Sequence, residues 1–125
     1  MKNILTLALF VLILSACGRD SGVSPDESFI PDISGGFSSS RSPSTSLFFQ
    51  PEKTGVNTSA FIGLEQPAGS AFSGTFTNYT ISFTFSDGPE KGITYSGKFV
   101  KNSNPLKMEV KGTNNVSLTL TRIPN

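Results

Sequence analysis

Tyr79-Thr80-Ile81-Ser82-Phe83-Thr84-Phe85 decides the fold. Apolar and hydroxyl side chains alternate through the whole stretch. A strand sends successive side chains to opposite faces, so this pattern makes a strand with one buried and one wet face. Tyr79, Ile81, Phe83 and Phe85 go to a core; Thr80, Ser82 and Thr84 go to water. The same period recurs downstream. Ile93, Tyr95, Gly97 and Phe99 alternate with Thr94, Ser96 and Lys98. Leu106, Met108 and Val110 alternate with Lys107, Glu109 and Lys111, and Val116, Leu118 and Leu120 with Ser117, Thr119 and Thr121.

Upstream, Ser46–Gln50, Ser59–Glu65 and Ala71–Thr77 are shorter or less regular strand candidates. Turn chemistry separates them all: Pro51-Glu52-Lys53-Thr54-Gly55, Gln66-Pro67-Ala68-Gly69, Asp87-Gly88-Pro89, Asn102-Ser103-Asn104-Pro105 and Gly112-Thr113-Asn114-Asn115. No segment after the N-terminal apolar run has a helical period. The expectation is an all-β domain, a small antiparallel meander of seven or eight short strands. Because each strand has one apolar face, the sheet must curl on itself or close like an up-and-down barrel. Gly63, Gly74 and Gly97 interrupt strand patterns and mark bends or close approaches of backbone. Ser73-Gly74-Thr75-Phe76 resembles strands of lipocalin-like small lipoproteins.

The N-terminus carries a different signal. Lys2 precedes an apolar run from Ile4 to Ala16, broken only by Thr6 and Ser15. As a helix the run is about 20 Å long, short of a hydrocarbon core of about 30 Å. A charged start, a short apolar segment and small residues at its end make a secretory signal. Leu14-Ser15-Ala16-Cys17, followed by Gly18, resembles the lipobox of bacterial lipoproteins. That resemblance implies diacylglycerol on the Cys17 sulfur and cleavage before it, with Cys17 as the acylated mature N-terminus. It also implies outer-membrane sorting facing the periplasm, because Gly18 and not Asp follows the cysteine. The domain reading is a signal peptide over 1–16, an acylated cysteine and flexible linker over 17–44, and a β domain over 45–125. The linker is rich in Ser, Gly, Pro and Asp. Within it, Ser38-Ser39-Ser40-Arg41-Ser42-Pro43-Ser44 should be the loosest part, and Gly36-Phe37-Ser38 is an alternative start for a first strand.

Composition narrows the function. The 125-residue chain has no histidine, no tryptophan and a single cysteine. Histidine-based triads, Cys–His dyads and the usual zinc ligand sets are thereby excluded. No Ser-x-x-Lys and no glycine-rich phosphate loop occurs. Paired carboxylates remain, with Glu52, Glu65, Asp87, Glu90 and Glu109 as candidates in the β region. The first four lie in or beside turns, and Glu109 sits between two outward lysines. Asp87-Gly88-Pro89-Glu90 has too few carboxylates for a calcium loop and reads as a hairpin turn. Three glycosylation-like triplets, beginning at Asn57, Asn78 and Asn115, read as incidental. The expectation is a protein that is not an enzyme and needs no cofactor or metal.

The charge is uneven. Upstream of Lys91 carboxylates dominate; from Lys91 onward six basic residues meet only Glu109. A near-neutral total argues against nucleic acid as partner. Lys98, Lys107 and Lys111 are outward by alternation and are the candidates for an anionic envelope component or protein. Phe48, Phe49, Phe61, Phe72, Phe76, Phe83, Phe85 and Phe99, with Tyr79 and Tyr95, either fill a core or line an apolar cavity. These observations lead to a membrane-anchored lipoprotein acting as an envelope interaction or accessory module. The alternatives are a lipocalin-like carrier of a small apolar ligand and an inhibitor of an envelope-directed hydrolase.

Overall fold

A computed structural model of the chain describes residues 27–41 and 44–124. The lipobox residues Leu14, Ser15, Ala16 and Cys17 lie outside the described residues, as do residues 17–26, 42 and 43 of the stretch read as linker. The described part is an eight-stranded antiparallel meander closed into a barrel. Its strands are β1 (Gly35–Ser39), β2 (Ser46–Pro51), β3 (Thr58–Gln66), β4 (Ser70–Thr77), β5 (Thr80–Phe85), β6 (Thr94–Phe99), β7 (Lys107–Gly112) and β8 (Ser117–Arg122). Each strand pairs with the next in the chain, and β1 closes the ring on β8 through Phe37↔Arg122, Ser38↔Thr121 and Ser39↔Leu120. Closure leaves no sheet edge open for pairing.

The closing strand is the main departure from the sequence reading. β1 falls within 17–44, the stretch read as linker, and begins where Gly36-Phe37-Ser38 offered the alternative. The folded domain also takes in residues ahead of β1. Ile33 is buried, and Phe29 stacks on Tyr79 with ring centroids 4.1 Å apart. A meander with seven apolar-faced strands has two raw edges. Adding β1 as an eighth strand, with Phe37 turned inward, removes both, which is why a Ser/Gly-rich segment of weak strand propensity is drawn in.

Alternation fixes the inside. Phe37, Leu47, Phe49, Phe61, Phe72, Phe76, Ile81, Phe83, Phe85, Tyr95, Phe99, Met108, Val110, Leu118 and Leu120 point inward and are buried. Phe49 lies at the hub, its ring 5.3 Å from Phe37, 5.3 Å from Phe61, 5.1 Å from Phe72 and 5.9 Å from Phe83. Fully burying each such side chain contributes about 1.5–3 kcal/mol, and each ring pair about 0.5–1.5 kcal/mol beyond area. The rings fill the barrel at contact distance.

So many rings fit because several inward positions, Gly63, Gly74 and Gly97 among them, carry no side chain. A Cβ at Gly63 would overlap the ring of Phe72. At Gly74 it would overlap the Ser82 carbonyl oxygen, and at Gly97 the Glu109 carbonyl oxygen. The strands therefore cross more closely at these points than any larger residue allows, bending the wall tightly around its aromatic filling. Asn78 (φ 53°) and Asn115 (φ 67°) occupy left-handed turn positions, which asparagine tolerates. This accounts for two of the three glycosylation-like triplets as turn chemistry.

The turns define two ends. The upper end holds residues 40, 41, 44 and 45 with 66–69, 86–93 and 113–116; the lower end holds 52–57, 78–79, 100–106 and the entering segment 27–34.

Candidate functional site

The outer wall has two unlike faces. On β6 and β7 the outward positions include Lys98, Lys107, Glu109 and Lys111, all exposed. The register sets Lys98 across from Glu109 and Lys111 across from Ser96. The three lysines singled out from the sequence thus share one face, with a carboxylate among them. These are the charged outward side chains of the barrel wall. On β2, β3 and β4 the outward positions are Ser, Thr, Gln, Ala and large apolar residues, without a charge.

That second face carries a row running across strands. Gly36 pairs with Phe48, Phe48 with Leu64, and Leu64 with Ala71. Ile62 lies one outward step from Leu64. Ile123 donates its N–H to the Gly36 carbonyl and brings its side chain beside Phe48. Phe48 is 45% exposed, Leu64 44% and Ile62 60%. Isolated exposed apolar residues are ordinary; a contiguous patch on neighbouring strands marks an interaction surface. Phe48 lies over Gly36, where a Cβ would meet its Cε2 at 2.9 Å. Beside the row is an open hollow of about 690 Å³, bordered by Gly35, Phe48, Ile62, Gly63, Leu64 and Phe72. β3 and β7 stand four strands apart in a ring of eight, so the apolar and lysine faces are opposite.

The doublet Phe48-Phe49 was the available signal for this row. Two adjacent residues in a strand cannot both face in, so grouping both with the inward rings was an error for Phe48. Ile62 and Leu64 likewise alternate out of phase with Phe61.

A second cluster caps the upper end. Arg41 grips Glu90 with both arms of its guanidinium, Nη2 donating to Oε1 at 2.8 Å and Nη1 to Oε2 at 3.1 Å. The Tyr95 hydroxyl donates to Glu90 at 3.0 Å and accepts from Arg41 Nη2 at 3.2 Å. Glu65, turned inward at the end of β3 and only 8% exposed, accepts from the Thr45 hydroxyl at 2.9 Å. Arg41 Nε lies 3.3 Å from Glu65 Oε2, off the line of its N–H, and has no hydrogen-bond partner. Burial pulls the Arg41 pKa down. The hydrogen bonds to Glu90 and Tyr95 and the charges of Glu65 and Glu90 outweigh it and hold the guanidinium above its ordinary range.

This cluster corrects one expectation: Arg41, in the stretch expected to be the loosest part of the linker, is the centre of an ionic cap. Glu65 and Glu90 do lie beside and within turns, and both face the same guanidinium. Asp87 accepts the Ala71 N–H at 2.7 Å. The carboxylates of this end thus hold turns and strand ends together. Among the described residues no group of three or more acidic, histidine or cysteine side chains is placed to hold a metal ion, and no helix is long and apolar enough to cross a membrane.

Comparison with family models, curated proteins and solved structures finds no match.

Proposed function

We propose that this chain is a lipid-anchored protein of the bacterial envelope whose barrel is a non-enzymatic interaction module. The observation that carries this reading is Leu14-Ser15-Ala16-Cys17 at the end of a short apolar signal, with Gly18 next. Acyl chains on Cys17 anchor a mature chain stably when there are two or more, at about 0.8 kcal/mol per buried CH₂. The lipoprotein resemblance, with Gly18 and not Asp after the cysteine, supports outer-membrane sorting with the barrel facing the periplasm.

The barrel supports binding by its outside. Its interior is occupied by Phe37, Phe49, Phe61, Phe72 and Phe83 at ring-contact distance, which favours an interaction module over a carrier with its ligand inside. The carboxylates of its upper end, Glu65, Asp87 and Glu90, are engaged in structural contacts, which favours a non-catalytic role. The uncharged apolar row and the opposite lysine face supply two different contact chemistries.

The test is the intact mass of the mature protein together with its fractionation. The expected result is a chain starting at Cys17 and heavier than its sequence by a diacylglyceryl group and an acyl chain. Cys17→Ser should release the barrel from the membrane fraction. An unmodified mature mass, or unchanged membrane retention of Cys17→Ser, would refute the reading.

A further inference from the structure

We infer that the apolar face of β2–β4 lies on the phospholipid surface to which the chain is tethered, leaving the lysine face of β6–β7 turned to the periplasm. The inference rests on the proposed acylation of Cys17 and adds to it an orientation and a second lipid contact.

Three observations lead to it. The first is reach. Glu27, the first described residue, follows Cys17 by ten positions. Ten extended residues span at most about 34 Å, while a domain of about 100 residues has a radius of gyration of about 13 Å. Glu27 pairs with Lys101 at the lower end, 3.2 Å away. From there the tether is long enough to let the barrel lie on its side and too short to lift it far from the bilayer.

The second is chemistry. A surface resting among headgroups must bring apolar and aromatic groups and must not bury charge. Phe48, Ile62 and Leu64 provide the first, with Ile123 beside Phe48. The remaining outward residues of β2–β4 are Ser, Thr, Gln and Ala, which satisfies the second.

The third is polarity of the whole wall. The exposed charges Lys98, Lys107, Glu109 and Lys111 lie on the strands farthest from this row. A tether sets effective concentrations on the order of millimolar, so a small apolar face suffices where a free protein would need a large one. A face this small would not hold an unanchored barrel on a bilayer.

The experiment uses the lipidated mature protein in phosphatidylethanolamine–phosphatidylglycerol vesicles. Single thiols are introduced as Ile62→Cys on the apolar face and Lys111→Cys on the opposite face, and each is labelled with an environment-sensitive fluorophore. Brominated acyl chains then quench labels at the bilayer. Quenching at Ile62→Cys is expected to exceed that at Lys111→Cys by roughly two-fold or more, with a blue-shifted emission. Adding Phe48→Gln and Leu64→Gln should bring the Ile62→Cys signal down to that of Lys111→Cys. Because acylation blocks Cys17, each variant should take one label. A second label shows an unacylated Cys17, which overturns the anchor and this inference with it. A single label with no quenching at Ile62→Cys overturns the inference alone, as does a blue shift there without quenching. That last result, accompanied by disulfide-linked dimers when unlabelled Ile62→Cys protein is oxidised by air, assigns the face to a second copy of the chain. Stronger quenching at Lys111→Cys also overturns it and reverses the orientation.

Discussion

The two ends of the barrel are closed in unlike ways, although an arginine works at each. At the upper end Arg41 binds side-chain carboxylates: Glu90 through both arms, and Glu65 by charge at 3.3 Å. At the lower end Arg122 binds backbone. It donates to the carbonyls of Asp32 and Ser34, the latter at 2.6 Å, with its guanidinium carbon 5.9 Å from the centre of the Phe37 ring. Beneath it, Ile33 and the Phe29–Tyr79 stack complete an apolar plug. The upper closure is a network of ionised groups, and the lower one is a piece of chain folded under the core. Their difference teaches that the barrel ends where the chain supplies the matching chemistry. The entering segment has apolar residues to spend on a plug, whereas the β1–β2 turn has only a lone arginine among serines.

The largest effect is expected from Ile33→Ala. Emptying a fully buried isoleucine site costs about 2–5 kcal/mol, and Ile33 is 1% exposed. Chemical denaturation of the released barrel should show a loss of about 3 kcal/mol with little change in slope. If residues 27–34 were only a tether, the midpoint would not move.

Arg41→Ala should come next, at about 2 kcal/mol, because it leaves Glu65 and Glu90 partly buried with no cation. The sharper form of the test is a pairing with Glu90→Gln. The two changes share one interaction, so their combined cost should fall below the sum of the single costs by about 1 kcal/mol. Additive costs would show that the cap is decoration and that only the lower plug holds its end shut.

These positions also show what was legible in the chain. Strand faces were readable wherever alternation was strict, because β5 to β8 each repeat one inward apolar residue per pair. The register and closure of the ring were not readable, since alternation gives faces and not partners. β1 was legible only as the alternative that Gly36-Phe37-Ser38 offered, because Gly35-Gly36-Phe37-Ser38-Ser39 has one large apolar residue and the composition of a linker. Its strand state is imposed by two neighbours that need a partner. Arg41 was hidden for a related reason. A single arginine among serines has no local pattern, and its carboxylate partners lie 24 and 49 positions away in sequence. The apolar row was half legible: Phe48-Phe49 required one ring to face out, but which one depended on the register with β3.

Arg41→Lys refines the contrast through pH. A group whose pKa is raised in the folded state contributes stability below its unfolded pKa and loses it as pH rises through the folded value. Arg41 is held above the ordinary arginine range, so that loss lies beyond any pH at which the barrel is studied. Lysine brings the window down to about 10.4 and gives up the two-armed grip. The expected result is a loss of about 1 kcal/mol at neutral pH, growing above pH of about 10. Arg122→Lys should show a smaller alkaline increase, because its main acceptors are uncharged backbone carbonyls and its one carboxylate neighbour, Asp32 at 3.6 Å, is largely exposed. Parallel alkaline profiles for the two variants would erase the distinction between the ends.

Lys101→Ala gives the smallest effect and the cleanest boundary on the lower plug. Lys101 meets Glu27 at 3.2 Å, but its side chain is 39% exposed and that of Glu27 41%. A pair so open to water contributes about 0–1 kcal/mol, weakened further by salt. Ile33 and the Phe29–Tyr79 stack lie further along the same segment and do not depend on it. Melting midpoints of Lys101→Ala and the parent should therefore agree at physiological salt, while Ile33→Ala stays far below both. A substantial loss in Lys101→Ala would mean that the entering chain is held by charge as the upper end is, and that the apolar plug is a consequence of that grip and not its cause.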